Sequence, residues 1–218
     1  MDKDTSLNLY TPMQNQLDRI IAVIERHDVA SEAFSQDVDG WRRLLAISPF
    51  VSIYIKQRPE RLAMLLQNRS GIFDLSAFRQ SAEALMSIED AAGFDRQLRQ
   101  LRNEQMVLIT TRDILGLATL EQTLSHLSSM ADVLIDTCLR WQYEKLAVRH
   151  GYPLTETGEH MPLVVLGMGK LGGQELNFSS DIDLILAFES DGNTTGPATL
   201  THHEFFTRLA QRLYQSLN

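Results

Sequence analysis

Leu163-Val164-Val165-Leu166-Gly167-Met168-Gly169-Lys170-Leu171-Gly172-Gly173-Gln174-Glu175-Leu176-Asn177-Phe178-Ser179-Ser180-Asp181-Ile182-Asp183-Leu184-Ile185-Leu186-Ala187-Phe188 decides how the rest of the chain is read. Its two ends are short continuous apolar runs, the pattern of strands buried on both faces. The stretch between them holds four of the chain's 12 glycines, a lysine, a serine pair and two aspartates two positions apart. With the second strand starting at Ser180, Asp181 and Asp183 face the same way, about 7 Å apart at their α-carbons. Two like charges converging on an apolar strand cost stability unless a cation offsets them. A hard divalent ion, Mg²⁺ or Mn²⁺, accepts carboxylate oxygens and brings a nucleotide's phosphates as further ligands, as in two-metal phosphoryl and nucleotidyl transfer. Bare glycine backbone lets N–H groups approach phosphate oxygens, and a short helix starting near Lys170 turns its N-terminus towards them. Lys170 adds a charge contact, and Ser179 or Ser180 a hydroxyl.

Other glycine motifs fit less well. A P-loop needs Ser or Thr after its lysine, and Leu171 follows Lys170. Gly167-Met168-Gly169-Lys170-Leu171-Gly172 does match the dinucleotide fingerprint G-x-G-x-x-G after a strand, with Glu189 about twenty residues on, so an NAD-type site is an alternative. Against it, only Lys170 to Phe178 is available for a crossover helix between parallel strands, which needs about a dozen residues or more. Nor does a dinucleotide site use two carboxylates at Asp181 and Asp183.

Upstream, residues 1–150 read as a helical region, sparse in glycine and proline. Leu17, Ile20, Ile21 and Ile24 form a stripe that Asp28-Val29-Ala30-Ser31 interrupts, and a second stretch surrounds Ala33 to Leu45. Ser48-Pro49 predicts a capped helix start running through Phe50, Ile53 and Tyr54. Arg58-Pro59 restarts the pattern through Leu62, Leu65 and Leu66, and Asn68-Arg69-Ser70-Gly71 reads as a turn. Two long amphipathic runs follow, Phe94, Leu98, Leu101, Val107 and Leu108, then Leu120, Leu124, Leu127, Ala131, Leu134, Ile135, Cys138, Leu139 and Trp141. Such stripes bury the core face of a helical bundle. At Gly151-Tyr152-Pro153 the character changes. After the strands, a linker from Ser190 to Thr201 precedes an amphipathic helix with Phe205, Leu209, Leu213 and Leu217.

The 218 residues carry 20 Lys+Arg against 28 Asp+Glu, a formal charge of -8, which argues against a broad basic surface for nucleic acid. The lone cysteine, Cys138, has no intramolecular disulfide partner, and a reducing cytoplasmic setting is expected. No signal peptide or membrane span is read.

The stretch from Leu166 to Ile185 resembles the signature of bacterial glutamine synthetase adenylyltransferases, bifunctional enzymes with two DNA polymerase β-like nucleotidyltransferase domains. Asn177-Phe178-Ser179-Ser180-Asp181 is similar to the first, AMP-removing copy. Leu98-Arg99-Gln100-Leu101-Arg102, Thr111-Arg112-Asp113-Ile114-Leu115-Gly116-Leu117 and Glu204-Phe205-Phe206-Thr207-Arg208-Leu209-Ala210-Gln211-Arg212-Leu213 extend the likeness. The resemblance implies an α+β chain, with a helical bundle over residues 1–150 followed over 151–218 by part of a nucleotidyltransferase domain, a small sheet flanked by helices. The implied activity is Mg²⁺-dependent phosphorolysis of AMP from a tyrosine of glutamine synthetase, giving ADP, in nitrogen-assimilation control, with a PII-type signal protein as a second partner. Asp181 and Asp183 match the family's metal-binding carboxylates, and Gly169, Lys170, Gly172, Gly173 and Ser180 its ATP- and ADP-binding loop. The family's third acidic residue follows in a pattern like V-D-x-R-L-R-P after the helix that here reaches Asn218. The expectation is therefore a fragment with little or no deadenylylase activity alone. A non-catalytic docking module for glutamine synthetase is a further alternative.

Remaining polar residues read as structural. His202-His203 is expected to be solvated, Arg112 and Asp113 to pack rather than react, and Cys138 to be a small core residue.

Overall fold

The computed structural model describes residues 37–58 and 73–217, together with Asp18, Ala22, Arg61 and Leu65. The stripe at residues 17–24, its interruption at 28–31, the Pro59 restart with Leu62 and Leu66, and the turn at 68–71 lie outside the described residues. The chain divides into two compact units, one of Met1–Phe73 and Glu104–Thr123, the other of Asp74–Asn103 and Leu124–Asn218.

In the first unit, Asp37 caps α1 (Val38–Ile47) by accepting the Gly40 N–H at 3.0 Å. Ser48 caps α2 (Pro49–Gln57), its Oγ accepting the Val51 N–H at 3.2 Å with Pro49 in the first turn, as the dipeptide predicts. The buried face is offset from the expected one. It carries Val51, Ser52, Tyr54 and Ile55, whereas Phe50 and Ile53 are exposed. Trp41, Leu44, Val51, Ile55, Leu65 and Val107 form the core of this unit. Val107 belongs to α4 (Ala91–Ile114), which closes with Gly116 N–H on the Asp113 carbonyl and Leu117 N–H on the Arg112 carbonyl. This pair of bonds is a Schellman motif, with Gly116 in its left-handed position at φ 69°. Arg112 is buried and donates Nη2 to the Leu117 carbonyl at 3.0 Å, and Asp113 accepts the Thr123 hydroxyl at 2.9 Å. Both are structural, as expected.

The second unit begins with α3 (Leu75–Glu83), capped by Asp74 on the Ala77 N–H. The expected helices did not include it. Its long element is α5 (Leu120–His150), which buries Leu127, Ala131, Leu134, Ile135, Cys138 and Trp141 of the predicted stripe, whereas Leu120, in the first turn of the helix, is exposed and Leu124 and Leu139 are half-buried. Trp141 stacks on Phe94 with ring centroids 4.3 Å apart, and its Nε1–H reaches the Ile88 carbonyl at 2.8 Å. Burial pushes the Cys138 thiol up to about 12, so it is a core residue with no nucleophile at neutral pH.

Beyond α5, β1 (Val164–Gly167) and β2 (Leu184–Ala187) form a two-stranded antiparallel sheet, with Leu166 opposite Ile185 and Gly167 opposite Leu184. A two-stranded ribbon is marginal by itself. Here Leu163, Leu186 and Phe188 join the core of Leu146, Met161, Leu200, Phe205 and Leu209. The last three come from the linker and from α7 (His202–Leu217), which Thr201 and Glu204 start with reciprocal side-chain to backbone bonds, a capping box. The strands are not buried on both faces. Val164, Leu166 and Ile185 are 48%, 51% and 48% exposed, because helices cover only the opposite face of the ribbon. No helix among the described residues is long and apolar enough to cross a membrane.

Candidate functional site

The glycine loop starts where β1 ends. Met168 N–H bonds the Asp183 carbonyl at 2.9 Å, carrying the ladder one pair past Gly167 and Leu184. Asp183 therefore lies opposite Met168, on the exposed face with Leu166 and Ile185. The regular strand begins at Leu184 rather than Ser180, so Asp181 lies in the irregular segment that leads into β2. Both aspartates are exposed.

A single helical turn, α6 (Gly169–Gly172), follows Met168. Two glycines have backbone reasons to be there. Gly169 has φ 53°, which L side chains rarely adopt. At Gly172 a Cβ would overlap the Gly167 carbonyl oxygen, so the loop folds back onto the strand end only without one. Gly173 is different, since a Cβ there would meet nothing closer than the Gly169 oxygen at 3.6 Å. Lys170 is exposed and makes no ion pair among the described residues.

Asn177 organises the next turn. Its Oδ1 accepts the Ser180 hydroxyl at 2.6 Å, the Ser179 N–H at 3.1 Å and the Ser179 hydroxyl at 3.3 Å. Both serines thus spend their hydroxyl protons inside the turn and offer a ligand only lone pairs. Asn177 was not among the predicted site residues, although Asn two and three positions before serines is a readable Asx-turn signal. Two supports could not be read from local sequence. Leu176 N–H donates to Ser128 Oγ at 3.1 Å, and Gln174 Nε2 donates to Asp132 Oδ2 at 3.2 Å, both across more than 40 residues of chain.

A cavity of about 270 Å³ lies between α5 and the covered face of the ribbon, lined by residues that include Asp132, Ile135, Leu139, Val165, Leu171 and Leu184. Neither Asp181 nor Asp183 lines it. Among the described residues no three His, Cys, Asp or Glu side chains cluster as a metal site. His202, expected to be solvated, is only 3% exposed, its Nδ1 within 2.9 Å of the Ser190 carbonyl and its N–H on the Gly192 carbonyl. His203 stays outside, near the Phe188 ring. The antiparallel pairing also removes the dinucleotide alternative, whose βαβ unit joins parallel strands.

Similarity to known proteins identifies the family. Residues 39–218 match the family model for glutamate-ammonia ligase adenylyltransferase. The chain is 41% identical over 178 residues to a bifunctional glutamine synthetase adenylyltransferase/adenylyl-removing enzyme of Idiomarina loihiensis, covering 79% of this chain and 19% of that protein. The enzyme of the same name from Shewanella woodyi is 37% identical over 88% of this chain and 20% of its own, and that from Vibrio parahaemolyticus 40% over 83% and 19%. The chain spans about a fifth of the length of these relatives. With the family match covering residues 39–218, the chain belongs to the glutamate-ammonia ligase adenylyltransferase family.

Proposed function

We propose that this chain carries the glycine loop and the first two carboxylates of a DNA polymerase β-like nucleotidyltransferase domain, and that it serves the removal of AMP from a tyrosine of glutamine synthetase. The observation that carries this reading is the bond from Met168 N–H to the Asp183 carbonyl, which puts a glycine loop and a carboxylate side by side on an open face. An open face matters because the substrate, an AMP group attached to another protein, is itself large.

Asp181 and Asp183 are hard oxygen donors, exposed and two residues apart, and suit Mg²⁺ or Mn²⁺ that takes its remaining ligands from water and phosphate. When bound, the ion supplies charge stabilisation to the phosphoryl oxygens and lowers the cost of bringing two anions together. The chain's own groups do the rest. Backbone N–H groups at the start of α6 have no acceptor within the helix and can bind phosphate oxygens. Lys170 supplies a mobile positive charge beside them. In the reaction, an oxygen of inorganic phosphate bonds to the AMP phosphorus, the bond from that phosphorus to the tyrosine oxygen breaks, and the tyrosine oxygen takes a proton. The products are ADP and unmodified tyrosine. A PII-type protein as the regulatory partner belongs to the same proposal.

The test is ligand-dependent thermal stability. ADP or ATP with Mg²⁺ or Mn²⁺ raises the melting temperature, and either nucleotide without metal does not. Asp181→Asn abolishes the shift. A shift produced by nucleotide alone, or one that survives Asp181→Asn, overturns the reading.

A further inference from the structure

Gln174 is the only described residue other than glycine with a positive φ, at 57°. It occupies the left-handed position of a Schellman motif that closes α6, where its N–H bonds the Leu171 carbonyl at 3.0 Å and Glu175 N–H bonds the Lys170 carbonyl at 2.7 Å. The end of α4 is built from the same pair of bonds, and there the position is held by Gly116. Glycine is the residue this geometry favours, so a glutamine in it needs a reason. Its side chain supplies one. Gln174 Nε2 donates to Asp132 Oδ2 on α5 at 3.2 Å and reaches back to the Leu171 carbonyl at 3.4 Å.

Two residues further on, the buried Leu176 N–H donates to Ser128 Oγ at 3.1 Å, and that hydroxyl donates to the Leu124 carbonyl at 2.9 Å. Ser128 and Asp132 are four residues apart and share one face of α5. Two points on a rigid helix therefore hold the segment between the glycine turn and the Asn177 turn, and the latter leads directly into Asp181.

We infer that Gln174, with Asp132 and Ser128, forms a clasp that positions the glycine loop against Asp181 and Asp183 for nucleotide binding. This rests on the function proposed above. These are positioning residues, with no contact to substrate required.

The discriminating variant is Gln174→Gly in the full chain. Glycine relieves the backbone conformation, so a purely structural role leaves the melting temperature unchanged or raised and nucleotide binding intact. The clasp instead requires Mg²⁺·ADP to bind about three- to tenfold more weakly with no loss of melting temperature, the scale of one hydrogen bond. Asp132→Ala reproduces the weakening, Asp132→Asn, which keeps an acceptor oxygen, does not, and the double variant Gln174→Gly/Asp132→Ala is no weaker than either alone. Wild-type affinity in Gln174→Gly overturns the clasp. Amide hydrogen exchange over residues 170–176 without nucleotide separates this outcome from failure of the functional proposal. If the wild type binds no Mg²⁺·ADP, the proposed function falls and exchange decides the clasp: faster in Gln174→Gly and Asp132→Ala than in wild type and Asp132→Asn supports it, and equal rates refute it.

Discussion

Gly172 and Gly173 are adjacent, both exposed, and indistinguishable in the sequence motif, yet the structure assigns them opposite responses to the same substitution. In Gly172→Ala the new Cβ falls on the Gly167 carbonyl oxygen, a backbone atom held by the end of β1, so the loop or the strand must shift. Overpacking of this kind costs about 1–3 kcal/mol. In Gly173→Ala the nearest atom is at 3.6 Å, ordinary contact, and the position has φ -81°, which alanine accepts readily. That substitution is expected to be neutral or to stabilise by about 0.4–1 kcal/mol through the unfolded chain. Global unfolding of a chain with two compact units need not be two-state, so amide exchange on β1 and β2 is the appropriate measure. Gly172→Ala should speed exchange there roughly 5- to 140-fold, at about 1.4 kcal/mol per factor of ten, and Gly173→Ala should not speed it at all. Equal rates in the two variants, or a larger effect at Gly173, would show that the loop does not fold back onto Gly167 as described. Gly173→Ala then becomes a clean probe of binding: a phosphate that approaches this backbone binds Gly173→Ala more weakly although the fold is untouched.

Ser48→Ala removes the cap of α2 and should destabilise the first unit by about 0.5–2 kcal/mol, read as faster exchange at the Val51 and Ser52 amides. Cys138, with its thiol pushed up to about 12 by burial, should resist alkylation at pH 8 in the native chain and react fully once unfolded; rapid native labelling would contradict its place in the core. Arg140 bonds Glu83 at 2.7 Å, and that hydrogen bond, then the charge, holds the Glu83 carboxyl below its ordinary value of 4.5. A depressed carboxylate contributes stability above its unfolded pKa and loses it as pH falls through the folded one. Any melting-temperature deficit of Glu83→Gln should therefore be present at pH 7 and shrink below pH 4.5, and a deficit that grows on acidification would refute the pairing.

What could be read from sequence followed periodicity and caps. The α5 stripe from Leu127 to Trp141 and the Ser48-Pro49 start are local signals, and both are present in the fold. The offset face of α2 has a physical source: Phe50 and Ile53 are as apolar as Val51 and Ile55, so the sequence holds two competing stripes and only tertiary packing chooses between them. His202 was misplaced because adjacent histidines look solvated, while its burial depends on backbone carbonyls of Ser190 and Gly192 brought in by the linker. The glycines and aspartates of the candidate site are picked out in the sequence by type and spacing. Ser128 and Asp132 could not, since a serine and an aspartate on a helix face acquire meaning only when Leu176 and Gln174 arrive opposite them.

The same limit bears on why Asp183 lies on the open face. Leu184-Ile185-Leu186-Ala187 is apolar at every position, so hydrophobic alternation does not choose which face of β2 is covered, and a slip of one residue would exchange the faces. The neighbouring residues choose. A slipped β2 would turn Asp183 towards α5, on the side where the exposed Asp132 and Asp136 already stand, and bring like charges nearer one another. It would also break the bond from Met168 N–H to the Asp183 carbonyl, on which the left-handed Gly169 and the return of Gly172 to the Gly167 carbonyl both follow. The glycine turn and the backbone bond between Met168 and Asp183 thus favour the register that keeps Asp183 on the open face.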